Sequence, residues 1–168
     1  MNNIGVNSAL ERMRSTSEHE STVAYSIASA GDAEALVALR IEAMRESLER
    51  IGRFDAGRAR QRFLAAFSPE NTRRIHANGE LVGFFVVKPY ENGLLLDHLY
   101  VHPRHQGKGI GAAALSCVLT EAEAKGCSVR VGALRDSASN RFYTRYGFVL
   151  VEQSEFDNYY VHHATNAP

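Results

Sequence analysis

The stretch Leu94–Gly126 reads LLLDHLYV, HPRHQ, GKGIG, AAALSCVLTEAEAKG: an apolar run, a polar connector, three alternating glycines and a segment of helical periodicity. Leu94–Val101 has the length and composition of a buried strand. Behind it, Ile110, Ala114, Cys117, Val118 and Ala122 recur at helical intervals. Lys125 places a cation in the last turn of that helix, and Gly126 tolerates the left-handed residue that stops it. Gly107, Gly109 and Gly111 therefore fall where a strand turns into a helix N-terminus. Without side chains there, the backbone can approach a bulky ligand, and the unpaired N–H groups of the first turn face it. Phosphate is the group such a turn holds best, aided by the positive end of the helix dipole. Three spaced glycines cost helix stability, which argues for a ligand over an empty turn.

On the N-terminal side of this stretch the period is two. Thr72–Ala77, Glu80–Lys88 and Leu94–Val101 are strand-like runs separated by Asn78-Gly79 and Asn92-Gly93. Asn-Gly between apolar runs signals a hairpin, because both residues accept positive φ. The expected product is a three-stranded antiparallel meander whose last strand feeds the glycine turn. Further upstream, Asp32 and Asp55 stand where helix N-caps belong. The first would open a helix with the stripe Leu36, Leu39, Ala43, Met44, Leu48 and Ile51, ended by Gly52. The second would open a helix with Ala59, Phe63, Ala66 and Phe67 on one face, stopped at Ser68-Pro69. Ala24–Ser29 is a short strand candidate, and the polar, aperiodic residues 1–22 are expected to form a disordered tail.

On the C-terminal side, Ser128–Ala133 is a strand that returns from a helical crossover and should lie parallel to Leu94–Val101. A short helix over Ser137–Tyr146 ends at Gly147, and Phe148–Val151 with Asn158–His163 make a closing hairpin. Residues 23–168 thus read as one domain of mixed α/β class, its sheet mostly antiparallel with one central parallel pair.

Composition narrows the function. The 168 residues balance 19 Lys and Arg against 19 Asp and Glu, so the charge favours neither nucleic acid nor an anionic membrane. No apolar run reaches membrane-spanning length, and Met1–Ser21 lacks the hydrophobic segment of a secretory leader; a cytoplasmic location is expected. Cys117 and Cys127 lack metal-ligand spacing and read as buried free thiols, so no metal is expected. Arginine is dense around the first two helices (Arg45, Arg50, Arg53, Arg58, Arg60, Arg62), but Glu42, Glu46, Glu49 and Asp55 are spaced to pair with it. A solvated, ion-paired face is the default reading.

Two nucleotide motifs fail. GKGIGA formally fits the dinucleotide pattern G-x-G-x-x-A, which would suit a dinucleotide-dependent oxidoreductase, but HPRHQ separates it from the strand end where the first glycine belongs. No Lys-Ser/Thr follows the last glycine, so a Walker A loop fails too. Gln106-Gly107-Lys108-Gly109-Ile110-Gly111 instead matches Q/R-x-x-G-x-G/A. ASNRFYTRYGF supplies Phe142, Tyr143, Gly147 and Phe148 of an x-F-Y-x-x-x-G-F pattern. With the order of elements over residues 23–163, these motifs resemble the GCN5-related N-acetyltransferase (GNAT) superfamily. Asp136 and Ser139 depart from the Asn and Ala common at those places.

The resemblance implies acetyl-CoA as cosubstrate and direct transfer of its acetyl group to a primary amine of a small molecule or peptide. It implies cofactor contacts from the backbone of Leu99, Tyr100 and Val101, where the parallel strands splay, from the loop Gln106, Gly107, Lys108, Gly109, Ile110 and Gly111, and from Asn140 and Tyr143. Tyr143 falls on the tyrosine that serves family members as general acid. A phenol of pKa about 10 donates to a thiolate of about 8.5 at a cost of only one or two units. Asp97 falls where some members carry a glutamate base. Period-two alternation puts it on the face of Leu99 and Val101, and its shorter side chain would act through a water. His98, on the opposite face with Tyr100, and solvent alone are the alternatives. Neither cysteine falls at the site, so no covalent relay is expected.

The acceptor would enter between Met44–Arg58 and Glu155–Tyr160. There Arg50, Arg53, Phe54 and Tyr159 suit an anion beside an apolar body, while Asp157 or Glu49 could hold an ammonium. A catalytically silent acyl-CoA-binding module would share the cofactor features, and the sequence leaves monomer and homodimer both open.

Overall fold

The computed structural model describes residues 22–165, so the tail expected to be disordered lies, but for Thr22, outside the described residues. The strands are β1 (Val23–Ile27), β2 (Thr72–Ala77), β3 (Glu80–Tyr90), β4 (Gly93–Val101), β5 (Val129–Leu134), β6 (Val149–Gln153) and β7 (Asp157–His162). The α-helices are α1 (Ala33–Arg50), α2 (Ala56–Ala66), α3 (Ile110–Ala124) and α4 (Ser139–Arg145). One sheet runs in the order β1-β2-β3-β4-β5-β7-β6. Every neighbouring pair is antiparallel except β4 and β5, which is the mixed α/β sheet that the crossover and hairpins imply.

Helices cover both faces. Phe84 and Val86 of β3 join Leu36, Val37 and Leu39 of α1 and Phe63 of α2. Phe85, between them, points the other way into Leu94, Leu96, Ala114, Leu115, Val118, Val129 and Val131. With both faces covered, Val82–Val86 is one continuous buried run. Phe63 meets Phe84 edge-on with centroids 5.6 Å apart, and Leu36 is fully buried. Truncating such a residue to alanine costs about 2–5 kcal/mol.

The turn at Asn78-Gly79 has positive φ at both residues (51° and 81°), as the hairpin signal requires. The second hairpin differs from expectation: the positive φ belongs to Glu91 (50°), and Gly93 already pairs with Tyr90. Gly93 is needed for another reason, because a Cβ there would stand 2.5 Å from the Ser128 carbonyl oxygen at the start of the parallel pair. Asp55 caps α2 by accepting from the Arg58 N–H at 3.0 Å. Asp32 does not cap α1 in that manner. It ends a single 3-10 turn, and its carboxylate reaches back to the Ser29 N–H at 2.7 Å. Cys117, expected in the buried stripe of α3, is exposed, and Leu115 takes its place. Among the described residues no helix is long and apolar enough to cross a membrane.

Candidate active site

β4 and β5 pair only through Leu94–Val129, Leu95–Arg130 and Leu96–Val131. Beyond that point β5 pairs β7 alone, out to Leu134–Asp157. β4 continues to Val101 held only by β3, through Phe85–Leu99, Phe84–Tyr100 and Gly83–Val101. Leu99, Tyr100 and Val101 therefore present a strand edge with no partner in the middle of a sheet, where unmet backbone groups are costly. The gap is a cleft of about 720 Å³ bounded by β4, β5, Tyr143 of α4 and the side of α1 carrying Arg40, Met44 and Ser47.

At the open end of β4, the Gln106 side-chain amide donates to the Val101 carbonyl at 2.9 Å and ties the loop to the strand. Gly107 and Gly109 have φ of 75° and 79°, and the space a Cβ would enter is empty at both. A side chain would strain the backbone and fill the cradle. Gly111 differs, since a Cβ there would meet the Phe142 ring of α4 at 3.7 Å, an ordinary packing contact. No side chain caps α3 and no acid lies in its first turn, so its leading N–H groups suit an anion. Lys108 is exposed beside them. The Ile110 side chain is buried in the core, so only its backbone can face a ligand.

Tyr143 is buried among Phe142, Phe148 and Tyr160. Desolvation raises its pKa, with Tyr100 adding to the effect. The phenol thus keeps its proton throughout the neutral range, as a general acid must, but gives it up less readily than the sequence alone implies. Tyr100 is held protonated in the same way by burial, against the pull of Arg40.

Three expectations change here. Asp97 does not share the face of Leu99 and Val101. The β3–β4 register pairs Val86 with His98 but Val87 with Leu96, leaving Asp97 as the extra residue of a β-bulge. Its carboxylate turns toward α2, with Oδ2 3.1 Å from Lys88 Nζ and 3.7 Å from His98 Nε2, although Asp97 still borders the cleft. His98 sits between Phe63 and Tyr100, with Nδ1 3.4 Å from the Tyr100 hydroxyl. Burial lowers its pKa from 6.5 to about 4, so it is neutral at physiological pH. Asn140, expected at the cofactor, is hydrogen-bonded within the protein. Its amide nitrogen donates to the Leu134, Arg135 and Ser137 carbonyls at 2.7–3.0 Å, and its oxygen accepts from Asn158 and Tyr160 at 2.9 and 2.8 Å.

The expected acceptor wall is divided among cavities. Tyr159 lines the main cleft, its ring under Arg130 at 5.0 Å. Arg53 and Phe54 line an adjoining recess of about 660 Å³, but Arg53 lies on the Phe156 ring at 3.9 Å and Phe54 beneath Arg45 at 4.6 Å. Arg50 faces neither. It pairs with Glu46 and donates to the Asp136 carbonyl, both at 3.2 Å, beside a separate pocket of about 240 Å³. Arg40 was invisible to sequence reasoning. It lies next to Leu39 on α1 and reads as one more surface arginine, yet it lines both the cleft and the recess. No group of His, Cys, Asp and Glu placed to hold a metal occurs among the described residues.

A mixed sheet opened at its one parallel pair, above a glycine-rich helix start, defines the GNAT type of fold. Residues 70–150 match the family described as acetyltransferase (GNAT) domain. It is 32% identical over 95 residues to the L-methionine sulfoximine/L-methionine sulfone acetyltransferase of Salmonella typhimurium, covering 44% of this chain. The match spans 56% of that relative's length. Among solved structures it resembles the PaiA N-acetyltransferase of Thermoplasma acidophilum in complex with coenzyme A, with TM-score 0.70, 20% identity, and 83% of this chain and 98% of that one covered. It also resembles YncA of Salmonella typhimurium with its cofactor acetyl-CoA, with TM-score 0.60, 20% identity, and 86% and 95% covered.

Proposed function

We propose that this chain is an N-acetyltransferase that moves an acetyl group from acetyl-CoA to a primary amine of a small molecule or peptide by direct attack. The observation that carries the reading is the unpartnered edge of β4 at Leu99–Val101, which shares one cleft with Tyr143 and with Gln106, the residue that opens the glycine loop. The cradle and the free N–H groups of α3 fit a pyrophosphate, with Gln106–Gly111 holding it, and the open strand edge fits an amide-bearing arm. Acetyl-CoA, when bound, supplies a thioester whose C–S bond is exchanged for the new C–N bond.

The remaining work falls to the chain's own groups. Backbone N–H groups along Leu99–Val101 orient and polarise the acyl carbonyl. Tyr143 holds the proton that the departing sulfur needs, at its phenol oxygen and inside the cleft. The attacking amine must lose a proton, and Asp97 takes it through a water. Both of its close contacts are made by Oδ2, so Oδ1 is the atom for that water. His98, neutral and enclosed by aromatic rings, holds Tyr100 and Asp97 in place. The relative named for acetylating L-methionine sulfoximine and L-methionine sulfone supports a small-molecule acceptor.

Thermal unfolding with acetyl-CoA or NAD, combined with thiol release across a panel of amines, tests the reading. Stabilisation by acetyl-CoA and amine-dependent thiol release are expected. Stabilisation without turnover of any amine would identify a silent acyl-CoA-binding module, and stronger stabilisation by NAD would restore the dinucleotide reading.

A further inference from the structure

We propose that Arg40 and Asp157 form the acceptor clamp of this site, Asp157 holding the amine and Arg40 a carboxylate of the same molecule, so that the acceptor is a small amino acid; the proposal rests on the N-acetyltransferase reading above. The main cleft and the adjoining recess share four lining residues, Arg40, Met44, Leu134 and Asp157. The neck between the two chambers therefore carries one cation, one carboxylate and two apolar side chains. Both charged residues are fixed from behind. Arg40 donates through one terminal nitrogen to the Ala59 carbonyl at 3.2 Å, where α1 meets α2, and lies 5.8 Å from the Tyr100 ring centroid. Asp157 opens β7, its N–H donating to the Ser154 hydroxyl at 3.1 Å and its carbonyl accepting from the Ser154 N–H at 2.8 Å.

Neither charge is neutralised in a close ion pair, although Arg53 lies near enough to Asp157 to act on it. The Nε of Arg40 is buried without a hydrogen-bond partner among the described residues. Arg40 and Asp157 make no ion pair with each other or with any other described residue. Half-buried charges held apart and unpaired are costly, and a ligand carrying one charge of each sign relieves both. A planar guanidinium with open donors suits a carboxylate. Arg50 and Arg53, by contrast, are already engaged by Glu46 and Phe156. Beyond the neck the recess is lined by Leu48, Ile51 and Phe54 on one part and by Arg53, Asp55, Arg58 and Arg62 on another, so an apolar side chain on the amino acid has the first part to lie against.

The deciding experiment compares amino acids with their decarboxylated amines: leucine with 3-methylbutylamine, and methionine with 3-(methylthio)propylamine, with spermidine alongside. The readout is acetyl-CoA-dependent thiol release. The wild-type protein should favour each amino acid in kcat/KM by about 100-fold or more, as expected when a buried polar group loses its partner. Arg40→Met should bring that ratio to within about tenfold, mainly by raising the amino-acid KM. Asp157→Asn should raise KM for the amino acid and the amine alike. Undiminished stabilisation by acetyl-CoA shows that a variant is folded, and the wild-type ratio decides even where a variant is not. Equal turnover of the decarboxylated amines, best turnover with spermidine, or an unchanged ratio in Arg40→Met would overturn the clamp and leave the transferase reading standing. No thiol release with any amine, despite acetyl-CoA binding, would overturn both.

Discussion

Replacing His98 with phenylalanine should remove an acid sensitivity built into the sheet. The imidazole stands in an aromatic nest, with ring centroids 5.8 Å from Phe63, 6.3 Å from Phe84 and 5.6 Å from Tyr100. Burial lowers its pKa from 6.5 to about 4; Asp97 opposes that shift, while Arg40 and Lys88 add to it. The unfolded chain takes up a proton near pH 6.5 that the folded chain refuses until about pH 4. The contribution is therefore fully present above 6.5 and drains away as pH falls through that window, by about 2 kcal/mol at pH 5 and about 3 kcal/mol near pH 4. That is a large share of the about 5–15 kcal/mol that holds a typical domain folded. Urea unfolding of wild type and His98→Phe, followed from about pH 7.5 to about pH 4.5, measures it, because the groups remote from position 98 are common to both proteins and cancel. The gap between the two stability curves should shift in favour of the variant as pH falls. Curves that stay parallel through this window would refute the assignment of a neutral, desolvated His98.

Acetyl-CoA at a hundredfold excess over Kd should stabilise the fold by about 2.7 kcal/mol, and Gly109→Val should abolish the effect by filling the cradle and straining a φ of 79°; a retained shift in calorimetry would place the pyrophosphate elsewhere. Tyr143→Phe should lower kcat by about 10²–10⁴ with acetyl-CoA affinity near wild type, and an unchanged kcat with a good acceptor would remove the proton-donor role. Asp97→Asn should alter the acidic limb of the kcat/KM profile while changing stability by less than about 1 kcal/mol, since its pair with Lys88 is part-exposed; an intact limb would leave Asp97 a structural residue of the bulge.

The parts of the fold set by local chemistry were legible in the chain. Thr72–Ala77 has the bounds its alternation implies, Asn78-Gly79 makes its turn, Asp55 caps its helix, and the return from α3 places β5 parallel to β4. What escaped depends on partners distant in sequence. Alternation puts Asp97 on the wrong face because it assumes an unbroken register, and the bulge is decided by how Val86 and Val87 of β3 meet β4. Gly93 looks like a turn glycine, but the carbonyl that demands it belongs to Ser128. Asn140 looks free for a cofactor because its acceptors and donors lie on β5, β7 and the loop before its own helix. Arg40 looks like a surface arginine because only the parting of β4 and β5 turns that side of α1 into a cleft wall.

The same long-range contacts explain why the cleft persists. A gap between two parallel strands would close if the end of β5 were free to move against Leu99–Val101 and satisfy its edge. The end of β5 is not free. The Leu134 carbonyl accepts from the Asn140 amide at 2.7 Å and from the Ser137 hydroxyl at 2.9 Å, and the Arg135 carbonyl from Asn140 at 3.0 Å. Asn140 is itself held by Asn158 and Tyr160 of β7, the strand that pairs β5 along its whole length. Gly132, where a Cβ would come within 3.2 Å of the Tyr159 ring, lets that ring lie close against β5 on the cleft side. Asn140, expected to touch the cofactor, holds the end of β5 through these bonds. By saturating its hydrogen bonds within the protein, Asn140 fixes β5 away from β4, and the open edge, Tyr143 and the charged neck keep their places around one space.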